Sequence, residues 1–363
     1  MQVIRKLQSQ AVVCLATVLM AACGHDAAVP ASAGSTTTGM LPPGVSTEGI
    51  RPPATGLPPA AEPLKGPPIP PDGLVGRTIP VGHEPEGVVV DASTRTVAVA
   101  TRDPNELVLI DADSGDITGR VSLPGTVRHL QLAAPGGPVL VPVETANALV
   151  QVGLPQGRLS PPIVTGTAPH DAAEATNGTV FVANELGGTV AVLRRGEIVK
   201  VFTDSVQPAG TAAAGTSVGV LDVRKNDLTV YDAERLTIVG STPAGAGPTH
   251  LVVDRHGRMI ATDTRGNTVR VFTALPAPRE VASVPQPGGP YGLTYDAVRD
   301  RLWVASSGTN EVIGYDMNGP TPVERQRIRT VQDPYTVGVD PKSGRLFVAG
   351  VSGGVLQVID TAA

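Results

Sequence analysis

One short phrase recurs along the chain at a nearly constant interval, and this repeat constrains the fold more than any other feature. Its copies begin at Pro85, Val127, Pro169, Pro208, Pro248, Pro290 and Pro334. The intervals between them are 42, 42, 39, 40, 42 and 44 residues. A fixed period of this length is typical of repeat architectures, and it leaves room for four short strands, the content of one propeller blade.

The residues inside each repeat favour strands. In the sixth repeat, three apolar runs (GLTYD, RLWVA and EVIGYD) are separated by Asp, Gly and Asn. Runs of this length between turn residues are strand signals, and the 42 Gly and 35 Pro of the chain are consistent with many turns. Asp91, Asp254, Asp296 and Asp340 end the first run of their repeats, where we expect them to accept turn hydrogen bonds. The sequence therefore predicts an all-β, seven-bladed β-propeller over residues 74–363.

The last repeat is one strand short, because only 30 residues run from Pro334 to the C-terminus. Residues 76–82 (GRTIPVG) have the same Gly-Arg-x4-Gly frame as residues 119–125, the outer strand of the first repeat. We expect this N-terminal strand to complete the last blade and close the ring, which would leave no open sheet edge.

The pattern in residues 290–316 is Pro-x-Gly-Leu-x-x-Asp, then Arg-Leu-x-Val-Ala, then Val-x-x-x-Asp. It resembles the YVTN-type repeat of bacterial YncE-like seven-bladed β-propellers, strongly in four repeats and weakly in three. The resemblance implies the propeller fold and an extracytoplasmic location. It implies no particular reaction, because propellers carry binding, hydrolase, lyase and redox functions on one scaffold.

Residues 1–22 have the layout of a bacterial secretion signal. Arg5 and Lys6 precede an apolar stretch at residues 11–22 that is too short to span a bilayer. The sequence Met-Ala-Ala-Cys-Gly around Cys23 resembles the lipobox of bacterial lipoproteins. The resemblance implies cleavage before Cys23 and a palmitate-type lipid anchor, with diacylglycerol on the Cys23 thiol. The protein is then expected on the cell membrane, or on the outer membrane of a Gram-negative host.

Residues 23–73 are predicted to form a disordered tether. Residues 24–72 contain 12 of the 35 Pro and show almost no hydrophobic periodicity, so they cannot bury enough apolar surface to offset chain entropy. Pro-Pro pairs favour an extended, semi-stiff spacer. The net charge of −5 argues against a nucleic-acid partner, which would require clustered Lys and Arg, and we expect a monomer.

The first strand of each propeller blade lines the central channel, so the residues just after each repeat start should form a ring at its mouth. The candidate ligand-facing residues are Glu86, Arg128, His129, His170, Asp171, His250, Tyr291 and Tyr335. Three interpretations are open: structural hydrogen bonding between blades, a ligand pocket, or a metal site formed by His129, His170 and His250. Loops after the second strands, including Arg102, Glu144 and Glu185, should add a mixed-charge rim.

The sequence favours a binding or scaffolding module for a protein, glycan or small-molecule ligand. The alternative is a lactonase- or lyase-like enzyme that uses the channel histidines and acids, and a redox role is a third hypothesis. Gly-x-Ser-x-Gly occurs twice, at residues 215–219 and 350–354, but no helical pattern follows either copy, as a nucleophile elbow requires, and the chain has no phosphate-binding glycine loop. No catalytic residue and no cofactor are therefore predicted.

Overall fold

The computed structural model describes residues 44–69 and 73–361. Within this part of the chain, seven sheets form with mainly antiparallel pairing; six contain consecutive strands, and the last combines three C-terminal strands with one N-terminal strand. The prediction of an all-β, seven-bladed β-propeller is confirmed. No helix among the described residues is long and apolar enough to cross a bilayer. The predicted signal peptide and Cys23 lie outside these residues.

The blades are numbered here in chain order. Blade 1 contains Glu86–Asp91, Thr96–Thr101, Glu106–Asp111 and Ile117–Ser122. Blade 2 contains Gln131–Leu132, Val139–Val143, Ala148–Gly153, Arg158–Leu159 and Ile163–Val164, with the 3-10 turn Glu144–Ala146. Blade 3 contains Pro169–Glu174, Thr179–Asn184, Thr189–Arg194 and Glu197–Phe202. Blade 4 contains Pro208–Ala214, Ser217–Asp222, Asp227–Asp232 and Thr237–Pro243.

The remaining blades follow the same order. Blade 5 contains Pro248–Val253, Met259–Asp263, Thr268–Thr273 and Arg279–Pro285. Blade 6 contains Pro290–Asp296, Arg301–Ser306, Glu311–Asp316 and Val323–Arg329. Blade 7 contains Pro334–Val339, Leu346–Gly350 and Val355–Ile359 from the C-terminal end, with the 3-10 turn Val351–Gly353. Its fourth strand is Arg77–Pro80, which pairs antiparallel with Val355–Ile359.

Burial explains the composition of the strands. The inner strand Thr179–Asn184 is buried at every residue because both of its faces pack against neighbouring blades. The outer strand Arg279–Pro285 alternates between exposed and partly buried residues, since only one face meets the core.

The predicted turn role of the repeated Asp is also confirmed: Asp296, for example, accepts hydrogen bonds from the amides of Val298 and Arg299 at 2.9 and 3.1 Å.

The hydrophobic core is divided between the blades. Each of the seven buried clusters joins two neighbouring blades. The cluster between blades 7 and 1 brings Phe347 and Leu356 against Val97 and Ile110. An ion pair reinforces the same junction, where Arg95 Nη1 lies 2.8 Å from Asp340 Oδ1. Apolar packing therefore joins the last blade to the first, as it joins every other pair of neighbouring blades, and here an ion pair adds to it.

Residues 44–69, which we call the strap, lie against the propeller. Ser46–Glu48 adds a parallel strand to the outer edge of blade 3. Further along, Arg265 Nη2 of blade 5 donates to the carbonyl of Pro59 at 2.7 Å. Asn310 Nδ2 of blade 6 donates to the carbonyl of Pro67 at 2.8 Å. The strap thus passes from blade 3 over blades 5 and 6.

This packing corrects the expectation of a disordered tether over residues 44–69. A Pro-rich segment has few amide donors, but its extended backbone leaves the carbonyl groups free to accept hydrogen bonds. Side chains of the propeller supply the donors, so the strap is ordered by the surface beneath it. Residues 23–43 and 70–72 lie outside the described part of the chain.

Candidate functional site

A recurrent irregularity places the candidate side chains at one end of the channel. In six of the seven blades, the pairing between the first and second strands shifts register just after the repeat start. In blade 3 the shift falls between Pro169 and Asp171, next to His170. A bulge inserts an extra residue and re-aims the side chains around it. These six blades can therefore direct equivalent residues towards the channel mouth.

Three buried histidines pack against one another at this point. The ring centroids of His129 and His250 are 4.1 Å apart with the planes inclined by 27°, and those of His129 and His170 are 4.5 Å apart. The rings of His250 and Tyr291 pack edge to face with their centroids 4.3 Å apart, and the ring centroids of Tyr291 and Tyr335 are 5.7 Å apart. Imidazole lone pairs lie in the plane of the ring, so this face-to-face packing does not direct the nitrogens of His129 and His250 towards one shared ion.

His170 lies between two carboxylates. Its Nδ1 is 3.2 Å from Glu144 Oε1 and 3.1 Å from Glu185 Oε2. Burial opposes a charge on His170, but the negative charges of Glu185 and Glu144 outweigh it and raise its pKa to about 10. Burial likewise disfavours the charge of Glu185, yet His170 lowers the pKa of this carboxyl to about 2. The three groups therefore form a buried, coupled ionic cluster.

Burial disfavours a positive charge on the other two histidines. Burial, together with the positive charges of His170 and Arg128, lowers the pKa of His250 well below its ordinary value. Burial and the neighbouring positive charges also lower the pKa of His129 well below its ordinary value. Within the described residues, neither ring nitrogen of His250 has a hydrogen-bond partner. A buried imidazole with two unsatisfied nitrogens is uncommon in a folded protein.

Asp171 connects three blades beneath the histidines. Its carboxylate accepts from Gln131 Nε2 of blade 2 at 2.9 Å and from the amide of Thr211 of blade 4 at 2.8 Å. It also lies 3.9 Å from His129 Nδ1. Burial raises the pKa of Asp171 to about 6, against the opposing effect of these hydrogen bonds. This set of contacts holds the blades in register around the channel.

An open cleft of about 860 Å³ lies beside the histidines. Glu86, Arg102, Arg128, Tyr291 and Tyr335 line it from the propeller. Arg102 Nη2 lies 2.8 Å from Glu86 Oε2, whose pKa is raised by burial against the opposing effect of Arg102. The Nε atoms of Arg102 and Arg128 are buried and make no hydrogen bond within the described residues.

Residues of the strap line one side of this cleft and also lie over the buried histidines. Glu62, Pro63 and Lys65 line the large cleft. Residues 60–62 also cover a cavity of about 20 Å³ whose lining includes His170, Glu185 and His250. The strap therefore lines both the outer cleft and this small cavity.

The structure brings all eight predicted ring residues to the same end of the channel, in two layers. Glu86, Arg128, Tyr291 and Tyr335 line the outer cleft. His129, His170, Asp171 and His250 are buried beneath it.

Two groups of residues were missed. Glu144 and Glu185, expected on a rim, instead contact His170. The sequence feature that could have identified these two residues is their position directly after the second strand of a blade. In chain order, this position is occupied by Arg102, Glu144, Glu185, Val223, Thr264, Ser307 and Val351. The first three are charged and adjacent around the ring. Glu62 and Lys65 of the strap were missed because their segment was predicted to be disordered.

Comparison with known proteins supports the fold alone. No family model and no curated protein sequence matches the chain. A chain of hydrazine synthase from Kuenenia stuttgartiensis aligns over 81% of this chain and 99% of its own, with a TM-score of 0.68 and 16% identity. Streptogramin B lyase aligns over 79% and 96%, with a TM-score of 0.64 and 16% identity. A chain of the mitotic checkpoint complex aligns over 84% and 97%, with a TM-score of 0.69 and 11% identity. These dissimilar functions share a propeller and little sequence.

Proposed function

We propose that this protein is an extracytoplasmic lipoprotein whose propeller binds a small, oxygen-rich polar molecule, such as a glycan fragment, in the outer cleft. The observation that carries the proposal is the cleft itself. Its volume of about 860 Å³ falls within the range of about 300–1,000 Å³ that is usual for small-molecule sites. The strap narrows the channel mouth to a pocket, which favours a small ligand over a protein partner.

The lining supports an acceptor-rich ligand. Arg102 and Arg128 line the cleft, and the N–H groups of a guanidinium are donors that suit the hydroxyl or carboxylate oxygens of a ligand. Tyr335, which is only partly buried, adds an aromatic surface of the kind that packs against a sugar ring. The cleft lining contains Lys65, Arg102 and Arg128 as well as Glu62, Glu84 and Glu86, so it is not strongly charged in either direction.

A lactonase- or lyase-like enzyme is the alternative. The similarity to streptogramin B lyase is at the level of the fold. The channel histidines, on which that alternative depends, lie under the strap and do not line the outer cleft. Turnover of a lactone or cyclic depsipeptide panel by the full-length protein would favour the enzyme; without turnover, the binding proposal stands alone.

The ligand proposal predicts an effect of Arg102→Gln. This substitution removes a guanidinium from the cleft, and hydrogen bonds to charged groups are worth about 1.5–3 kcal/mol. We expect an affinity at least about tenfold weaker for the best ligand from a panel of mono- to trisaccharides, uronic acids and dicarboxylates, measured by calorimetry. Arg158→Gln, on the exposed outer edge of blade 2, is the matched control and should leave the affinity unchanged. Equal affinities for wild type and Arg102→Gln, or no response to the whole panel, would count against the proposal.

The anchor is tested separately. Cys23→Ala should abolish lipid attachment, because the thiol that carries diacylglycerol is absent. The protein should move from the membrane fraction to the soluble fraction, or accumulate with residues 1–22 uncleaved. Mass spectrometry of the wild-type protein from its native host should show an acylated Cys23, and an unmodified Cys23 at a mature N-terminus would refute the lipoprotein proposal.

A further inference from the structure

We propose that Glu144, His170 and Glu185 bind one first-row divalent transition-metal ion beside the small cavity beneath the strap, which His250 also lines. The proposal goes beyond ligand binding in the outer cleft and does not depend on it. Two observations carry it: the convergence of three ligand-type atoms, and a buried imidazole that has no other partner.

The first observation is the geometry around His170. One ligand atom each from Glu144, His170 and Glu185 lie within 4.8 Å of one another. The contacts from His170 Nδ1 to the two carboxylates are 3.2 and 3.1 Å. Nδ1 carries at most one hydrogen, so it cannot make a full hydrogen bond to both carboxylates. An ion at about 2.0–2.2 Å from each ligand atom would separate neighbouring ligands by roughly 3.4 Å, close to the spacing seen.

The second observation is His250. Its side chain is 6% exposed, and neither Nδ1 nor Nε2 has a hydrogen-bond partner within the described residues. It lines the same cavity as His170 and Glu185. A buried polar atom without a hydrogen-bond partner destabilises the folded protein, so two such atoms on one ring point to a missing occupant. An ion bound by the three ligands, or a water that it holds in this cavity, would give one of these nitrogens a partner.

The size and charge of the cavity select the occupant. About 20 Å³ accommodates a single ion or water but no organic ligand. Arg128 also lines it, but this guanidinium lies between Glu144 and Glu86 and is largely compensated by them. Glu62 of the strap contributes a further carboxylate to the lining. Mixed imidazole and carboxylate donors suit zinc, manganese or ferrous ions, whereas calcium and magnesium prefer oxygen alone.

The test is a titration of metal-stripped, full-length protein with Zn²⁺ and Mn²⁺ by calorimetry. We expect one saturable site per chain. Glu144→Gln and Glu185→Gln, which keep the side-chain shape, should each weaken binding by about 10- to 100-fold or more, since even the partners of metal ligands have effects of that size. Glu174→Gln is the matched control, because Glu174 is a partly buried residue of blade 3 that lies outside the cavity.

A measurement on the wild type protects the test against misfolded variants. X-ray absorption at the zinc edge of the loaded protein should show nitrogen and oxygen ligands with the scattering pattern of imidazole. The proposal is overturned if the wild type shows no saturable binding, if the spectrum contains no imidazole, or if a folded Glu185→Gln protein binds zinc as tightly as Glu174→Gln.

Discussion

Deleting residues 1–84 should destabilise the propeller far more than deleting residues 1–73, although the second truncation is only 11 residues shorter. The additional residues include Arg77–Pro80, which pairs with Val355–Ile359 in blade 7. Ile79 and Val81 are 7% and 0% exposed in the core between blades 7 and 1. Burying an aliphatic side chain is worth about 1.5–3 kcal/mol, so the two together predict a loss of about 3–6 kcal/mol in the free energy of unfolding. Urea unfolding of the two truncated proteins measures it.

The truncation series has an internal control. Deleting residues 1–43 removes none of the described strap and should leave the urea midpoint unchanged. Deleting residues 1–73 also removes the strap and its hydrogen bonds to Arg265 and Asn310, so its midpoint should be intermediate. If the longest truncation does not fold, Val81→Ala provides a milder test of the same contribution to stability. Equal midpoints for the 1–73 and 1–84 deletions would show that the N-terminal strand does not stabilise blade 7.

The propeller could be predicted from sequence because each blade encodes its own strands. Pro290 and Asp296 mark the ends of a first strand within seven residues, and the same frame recurs in other blades. Once the phase of the repeat is known, the residues beside each start, such as His170 and His250, fall at the channel mouth. Local pattern and a fixed period were sufficient for this step.

The partners of those residues could not be predicted in the same way. Glu144 and Glu185 come from loops on two different blades, and the way they meet at His170 depends on the angle between the blades. The strap was predicted wrongly for a related reason. Its own sequence has little tendency to fold by itself. The side chains that donate hydrogen bonds to the carbonyl groups of Pro59 and Pro67 lie more than 200 residues away in the chain. Composition reports whether a segment can fold by itself, not whether another surface can order it.

His170→Leu should be among the most destabilising single substitutions in this protein. It removes the positive charge between Glu144 and Glu185 and leaves two carboxylates facing a buried apolar side chain. Removing one partner of a buried ion pair typically costs about 3–5 kcal/mol, because the remaining charge is uncompensated. We expect a loss of that size in the free energy of unfolding, measured by urea denaturation of the metal-free protein at neutral pH.

Two companion variants separate charge from size. His83→Leu changes the same side chain at a position where the imidazole is 59% exposed and 3.8 Å from Asp103, so it should alter stability by less than about 0.5 kcal/mol. Combining His170→Leu with Glu144→Gln and Glu185→Gln removes the stranded charges and should recover part of the lost stability, because neutral amides are less costly to bury than carboxylates. If His170→Leu were as stable as the wild type, the cluster would not be a buried ionic network, and its two carboxylates would have to be neutral or hydrated in the folded protein.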